Sequence, residues 1–319
     1  MDAMIQAHGL RKRFGDTVAL DGLDLAVPAG TILGVLGPNG AGKTTAIRIL
    51  TTLAVPDDGT ASVAGHDVVR EAEAVRRSIG VTAQNATVDE LLSGRQNLVM
   101  IGRLSGLRRR DARTRAEELL RQFELIEAGD RMIKEYSGGM RRRLDLGASL
   151  VTRPPVIFLD EPTTGLDPTS RVRMWNVIRE LVAEGTTVLL TTQYLDEADE
   201  LADRILVVDH GRGISEGTAA ELKTQTGGAR LEVTLTSPDG GASVALGPYV
   251  SGDVHASHDG LRLRAPVANE PGLATHIVRA LDDAGITVDD VQVHQPSLDD
   301  VFFALTGRPA EDEDEELAA

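Results

Sequence analysis

The chain contains no cysteine, which removes disulfides, thiolate metal sites and cysteine nucleophiles together and suits a reducing compartment. It also has no apolar run near the ~18 residues that a transmembrane helix needs. Met1 to Arg13 lacks the apolar region of a signal peptide, so a soluble, cytoplasmic protein is expected. Positive charge is scarce as well: 33 Lys and Arg stand against 49 Asp and Glu, a formal net charge of -16. That balance argues against a body that embraces nucleic-acid phosphates, and no nucleic-acid partner is expected. An anionic cytoplasmic leaflet would repel such a chain too, so any membrane association must pass through a protein partner or a local contact. Glu311 to Glu316 carries 6 of the negative charges, and 309–319 reads as an acidic, disordered tail.

What is present fits two domains, since 319 residues at ~150 per domain allow that number. From Ile32 to about Gly217, short β-branched runs alternate with helical patterns, the pattern of an α/β layer with a mostly parallel sheet. The buried strands are expected at Ile32–Leu36, Val156–Asp160, Val188–Thr192 and Ile205–Asp209. Met4 to Val27 is broken at Gly15-Asp16 and Asp21-Gly22 and reads as an antiparallel layer before the main sheet. Between Leu91 and Tyr136 strand signals stop. Ala112, Ala116, Leu119, Leu120 and Phe123 recur at helical spacing, with Arg108 to Arg110, Arg113 and Arg115 as a solvated face. After Gly227-Gly228 a smaller α+β pattern follows: strands at Leu231–Leu235 and Leu261–Arg264, a helix near Leu273–Ala284, a strand near Ile286–Val293 and a last helix from Ser297. Ser297 with Asp300 forms a capping-box-like start. That helix carries Val301, Phe302, Phe303 and Leu305, which either fill the small domain's own core or also pack against the first domain or a second subunit.

Gly37-Pro38-Asn39-Gly40-Ala41-Gly42-Lys43-Thr44 fits G-x-x-x-x-G-K-[ST] and sits between the strand Ile32–Leu36 and a helical run from Thr45 to Leu53, where a phosphate-binding loop belongs. The glycines let backbone N–H groups form an anion nest at a helix N-terminus. Lys43 can reach the β and γ phosphates, and the Thr44 hydroxyl can ligate Mg²⁺. Val156 to Leu159 then delivers Asp160 and Glu161 at the carboxyl end of a buried strand, where α/β sheets bind ligands. Asp160 suits Mg²⁺ and Glu161 suits a general base acting on water. Alone, such a pair also reads as an ordinary helix cap or turn.

A third segment, Tyr136-Ser137-Gly138-Gly139-Met140-Arg141, lies between the two. Ser137 can cap a helix from Arg141 to Val151, the glycines expose N–H groups, and the helix dipole favours an anion; read by itself the segment is a loop. With this third motif the first ~220 residues resemble the ATPase domain of ABC transporters. The resemblance implies an α/β P-loop NTPase of that type over 1–226, with an antiparallel β layer, a mixed core sheet and a helical subdomain at about 86–150, followed by a small α+β domain at 227–308. It implies ATP and Mg²⁺ as ligands, contacts to the nucleotide from the whole loop Gly37 to Thr44 and from Thr45, and contacts from Ser137, Gly138 and Gly139 of a second copy. Phe14 resembles the aromatic that stacks on adenine, with a core or hairpin role as the alternative. Gln84 matches the glutamine that touches Mg²⁺ and the attacking water, and Asp167 matches the loop that crosses to the partner subunit. Asp167-Pro168 also reads as a helix N-cap with Pro at N1.

Two departures narrow the resemblance. The family's switch histidine is Gln193 here; its amide can donate to a γ-phosphate but cannot titrate. The signature has Tyr136 and Met140 where leucine and glutamine are usual, and neither side chain is needed for backbone donors. Tyr136 to Leu146, Thr191 to Asp199 and Pro296 to Gly307 together are similar to the ATP-binding subunits of daunorubicin-resistance-type exporters. This implies a homodimeric ATPase peripheral to the cytoplasmic face of a membrane and coupled to a separate permease for antibiotic or multidrug efflux. Relatives export unlike molecules, so a lipid or other non-drug substrate is an alternative. A nucleic-acid or ribosome machine is the competing class; it usually needs tandem cassettes, a long coiled coil or cysteine zinc modules, none of which this chain has. A purely regulatory binder is disfavoured by intact Glu161. His255 and His258 are close but lie in loop-like surroundings, and no metal site is expected there.

Overall fold

The computed structural model describes residues 3–82, 88–225, 229–257, 259–268, 272–294 and 297–306. They form two compact units, one extending to Ala219 and one beginning at Ala220. The division therefore falls after the first residue of the helix Ala219–Gln225, whereas the change of texture at Gly227-Gly228 led to an expected boundary at 226. The glycine pair follows that helix, and the helix itself belongs almost entirely to the second unit.

The first unit begins with two 12-residue strands, β1 (Ala3–Phe14) and β2 (Thr17–Pro28). Next come β3 (Ile32–Leu36), α1 (Lys43–Leu50), β4 (Asp58–Val63), β5 (His66–Asp67), α2 (Ala72–Ser78) and β6 (Ile79–Thr82). The helices α3 (Gly94–Leu104), α4 (Arg109–Gln122) and α5 (Gly138–Ser149) follow, then β7 (Val156–Asp160), α6 (Pro168–Ala183), β8 (Thr187–Thr192), α7 (Leu195–Leu201), β9 (Arg204–Asp209) and β10 (Arg212–Gly217). An antiparallel sheet has the order β2-β1-β4-β5, and a second sheet has the order β10-β9-β3-β8-β7-β6, parallel throughout except at the β10 edge.

The core sheet is buried on both sides, and the period of two along each strand divides its residues between two cores. Leu33, Val35, Val156, Phe158 and Leu189 face α1 and the antiparallel layer. Ile32, Ile157, Leu159, Val188 and Leu190 face the helices, together with Leu98, Leu120, Phe123 and Met174. No position of β3, β7 or β8 reaches solvent, so their ends are held rigidly and only the loops beyond them are free to serve a ligand.

Several local expectations change. Asp21-Gly22 does not end a strand; Leu23 pairs with Leu10 and Asp21 with Arg11, which leaves Gly22 at φ +88° as an inserted bulge residue inside β2. The helix after the glycine-rich loop stops at Leu50, because Thr52 takes φ +65°. The signature helix begins at Gly138, three residues early, because the Ser137 hydroxyl accepts from Met140 N at 3.3 Å. In α4 the apolar stripe is buried as its spacing required, but Arg115 leaves the solvated face: it donates to Glu118 and to the Leu150 carbonyl at 2.9 Å.

The second unit contains α8 (Ala219–Gln225), β11 (Ala229–Leu235), α9 (Ala242–Leu246), β12 (His255–Ala256), β13 (Arg262–Val267), α10 (Leu273–Asp283), β14 (Val288–His294) and α11 (Leu298–Thr306). Its antiparallel sheet, ordered β12-β13-β11-β14, packs Leu231, Val233 and Leu263 against Ile277 and Leu281 of α10. Ser297 caps α11 reciprocally with Asp300. In α11, Leu298, Val301 and Phe302 are buried while Phe303 is 57% exposed.

Phe123 closes α4 and lies 3.3 Å from where a Cβ on Gly147 would stand. Phe123→Ala should cost about 3–5 kcal/mol through the cavity it leaves. The only tryptophan, Trp175, packs against the same core, so urea denaturation followed by its fluorescence reports on this unit. A midpoint unchanged from wild type would contradict the assignment of Phe123 to this core.

Candidate active site

The strand β3 ends in the glycine-rich loop, and space decides its composition. A Cβ on Gly37 would lie 2.3 Å from the Val208 carbonyl oxygen, and one on Gly42 would lie 2.5 Å from that of Ala19. Gly40 and Gly42 also take φ +81° and +107°, conformations that favour glycine. The loop is closed by Ala41 N donating to Pro38 O at 3.1 Å and Gly211 N donating to Ala41 O at 2.9 Å. Lys43 opens α1 with its side chain almost fully buried, and its Nζ donates to Gly37 O at 2.6 Å and to Pro38 O at 3.2 Å. The same Nζ stands 3.8 Å from Glu161 Oε1. Beside it, the exposed Thr44 donates through Oγ1 to Asp160 Oδ1 at 3.3 Å, and Thr45 is half-buried one position on.

The carboxylates arrive from β7. Asp160 Oδ1 also accepts from Thr191 Oγ1 of β8 at 2.6 Å, and Glu161 N donates to Thr191 O at 3.1 Å. Glu161 is buried and takes φ +48°, a strained conformation for a residue with a Cβ, of a kind that clusters at functional sites. A cleft of about 480 Å³ opens here, lined by Asn39, Gly138, Arg142, Glu161, Gly165 and Gln193 among others. Gln193 is half-buried on its wall, with Oε1 lacking any hydrogen-bond partner among the described residues.

The structure thus brings together Asn39, Lys43, Thr44, Asp160, Glu161 and Gln193. Ser137 caps α5 at the cleft margin, Gly138 has open space around its Cα, and Gly139 packs so closely that a Cβ would meet Ser170 Oγ at 2.9 Å. Asp167 is exposed and caps α6, accepting from Ser170 N at 2.9 Å and from Ser170 Oγ at 2.6 Å. These bonds hold the Asp167 carboxyl below its usual value. Phe14 is 49% exposed at the end of β1, with Lys12 Nζ 5.5 Å from its ring centroid, and is not core. Gln84 lies outside the described residues, as does His258; no metal-binding cluster of His, Cys, Asp or Glu occurs among the described residues.

Three polar residues of this region are not apparent from the motifs. Arg142 donates to backbone carbonyls beside the carboxylates, and Asp145 is buried one turn along the same helix. Glu197 is fully buried behind the cleft wall, accepting from Thr163 Oγ1 at 2.8 Å and Trp175 Nε1 at 3.2 Å. It stands in the first turn of α7, where an acidic residue is an ordinary feature of a helix start. The one available signal was Thr163 and Trp175, two side-chain donors without a sequence motif of their own.

Burial raises the Glu197 carboxyl above its usual 4.5, while hydrogen bonds from Thr192, Thr163 and Trp175 pull it partly back. A raised carboxyl stays neutral in the folded chain while its unfolded counterpart ionises, so its contribution to stability is intact below about pH 4.5 and is lost as pH rises through its folded value. Glu197→Gln should therefore gain stability relative to wild type as pH rises above about 4.5, measured by urea midpoints from circular dichroism between about pH 5 and 8. Parallel profiles for the two proteins would reject a raised Glu197.

The ABC transporter family profile matches residues 20–164. Over 307 residues, 96% of this chain and 96% of the relative, the sequence is 57% identical to daunorubicin resistance ATP-binding protein DrrA3 of Streptomyces coeruleorubidus. It is 39% identical over 319 residues to Nod factor export ATP-binding protein I of Sinorhizobium fredii, covering 98% of this chain and 88% of that protein. An ATP-binding cassette of an ABC transporter, solved in its ADP conformation, superposes with a TM-score of 0.64 at 27% identity, covering 70% of this chain and 93% of that one. With the loop, the paired carboxylates and the capped signature helix in one cleft, and near-full-length identity to such subunits, this chain belongs to the ABC transporter ATPases of the daunorubicin-resistance type.

Proposed function

We propose that this ATPase hydrolyses Mg-ATP at a site completed by a second copy of the chain, and that it drives efflux of an anthracycline-like drug through a separate membrane permease. The observation that carries the reading is the Lys43 ammonium, held by the Gly37 and Pro38 carbonyls 3.8 Å from Glu161 at the carboxyl end of a buried parallel sheet. A polyanion entering the loop offers that cation a stronger partner, and its departure frees the carboxylate to face water. Loop N–H groups from Gly37 to Thr44, with Thr45, hold the phosphates, and Phe14 offers its half-exposed ring to the base. The oxygens of Thr44 and Asp160, 3.3 Å apart, are hard donors that fit Mg²⁺, which when bound neutralises charge on the phosphates. Gln84 is assigned to the same ion and to the attacking water.

Glu161 orients that water and takes its proton as the water attacks the γ-phosphate. The free carboxamide of Gln193 donates an N–H to the γ-phosphate oxygens as they gain charge, without a charge of its own. Ser137, Gly138 and Asp167 are exposed, with Gly139 half-buried beside them, and we assign all four to the nucleotide of the partner copy. Two copies then close on ATP and reopen after hydrolysis, the differential contact being the γ-phosphate. No helix among the described residues is long and apolar enough to cross a membrane, which supports a peripheral subunit on the cytoplasmic face, held by its permease. The relative named for daunorubicin resistance supports the drug reading. The relative named for Nod factor export supports a second one, export of a non-drug substrate by the same machinery.

Glu161→Gln should retain Mg-ATP binding, lose turnover by roughly a hundredfold or more and accumulate an ATP-bound dimer on a sizing column. Near-normal hydrolysis without a dimer would reject the role. In cells expressing the chain with its permease, the same variant should abolish daunorubicin resistance; resistance unaffected by it would remove the drug reading. Gln193→Ala should lower kcat by more than it raises KM, because the donor acts mainly on the charge of the transition state. Unchanged kinetics would sink that assignment.

A further inference from the structure

Arg142 stands in the second turn of α5, on the helix whose N-terminus displays Ser137, Gly138 and Gly139. Its guanidinium is half-buried at the wall of the cleft and is engaged with the backbone. Nη2 donates to Asp160 O at 3.1 Å and to Glu161 O at 2.6 Å, and Nε donates to Pro162 O at 2.9 Å. These are three consecutive carbonyls at the point where β7 ends and the chain turns through Glu161 at φ +48°. A rigid planar fork with several donors can hold such a row; the point charge of lysine or the single amide of glutamine cannot. Burial pulls the Arg142 guanidinium below its usual value, and the nearby carboxylates Asp145, Asp160, Glu197 and Glu161 offset part of that cost. Asp145 lies three residues along the same helix and is itself buried.

We propose that Arg142 is the positioning residue of the hydrolytic carboxylate: it clamps the strained turn at Glu161, so that the signature helix and the catalytic backbone of one chain move as a single body. The proposal rests on the reading of Glu161 as the base. It adds a route by which events at the N-terminus of α5 reach the water-activating group of the same chain. Gly138 and Glu161 line one cleft, and Arg142, one turn behind Gly138, is the physical link between them. None of the three bonds involves a residue from Gly37 to Thr44. With the clamp removed, nucleotide binding should survive while the carboxylate loses its fixed aim.

The test uses the full chain with Arg142→Ala, Arg142→Lys, Glu161→Gln and the double variant Arg142→Ala/Glu161→Gln. Affinity is read with a fluorescent, slowly hydrolysed ATP analogue, and turnover by steady-state and single-turnover phosphate release. Arg142→Ala should lose about tenfold or more in kcat with analogue affinity and KM within about twofold, and Arg142→Lys should recover only part. In the Glu161→Gln background, Arg142→Ala should cause no further loss of the residual rate, because the residue acts only through that carboxylate. Unchanged turnover in Arg142→Ala overturns the proposal. So does a loss of affinity parallel to the loss of turnover, or an additive loss in the double variant, since each marks a merely structural arginine. If Arg142→Ala does not fold, Arg142→Lys carries the decision: a drop in kcat at unchanged affinity supports the clamp, and wild-type kinetics refutes it. Normal turnover in Glu161→Gln alone would overturn the base assignment, a result distinguishable from every Arg142 outcome.

Discussion

Charges that would be costly to bury in isolation meet at the carboxyl ends of β3, β7 and β8, and the rest of the site depends on how they are balanced. Lys43, Asp145, Asp160, Glu161 and Glu197 are all less than about one-tenth exposed, and unpaired buried ions of this kind would cost several kcal/mol each. Balance comes from interleaving: lysine between backbone carbonyls and Glu161, arginine among four carboxylates, Asp160 beneath two threonine hydroxyls. Hydrogen bonds of this kind hold Lys43 and Asp160 in place. The site is also poised, because the lysine's carbonyl and carboxylate partners can be exchanged for an incoming anion, which frees Glu161.

The two cores on either side of the parallel sheet explain why the cluster can be so well defined. Alternate residues of β3, β7 and β8 are locked into different hydrophobic bodies, so neither strand can slip by one position without inverting every side chain. The ends of the strands are therefore fixed to within the tolerance of close packing. The backbone can then carry strain at Glu161, since the strand before it and the arginine beside it both resist relaxation. Gly138 of the signature is exposed, and a surface that leaves open space where its Cβ would stand is one on which a second body can approach backbone N–H groups.

Legibility in the sequence followed the range of the interactions. The phosphate loop is written in eight contiguous residues, and the positive φ of Gly40 and Gly42 is a local property of the turn. The apolar run before Asp160 and the stripe in α4 were equally legible, because period two and period 3.6 are local properties. The bulge at Gly22 was not: a glycine after an aspartate marks a turn or a bulge alike, and only pairing with Leu10 and Arg11 decides which. The boundary between units was displaced for a related reason, a glycine pair being a local signal and a division of contacts a global one.

Taken alone, the sequence determined the loop, the carboxylate pair, the capped signature helix and the exchange of a titratable switch residue for Gln193, all of which lie within short windows. Tertiary structure alone decided that Arg142 faces inward across 18 to 20 residues of chain to three carbonyls, and that Glu197 is buried beneath Thr163, 34 residues away. It also decided that Phe302 is buried while Phe303 is left at the surface. An arginine in a signature helix and a glutamate in the first turn of another have no local reason to be anything but solvated. Their partners are brought to them by the packing of sheet and helices, which no spacing within either helix encodes.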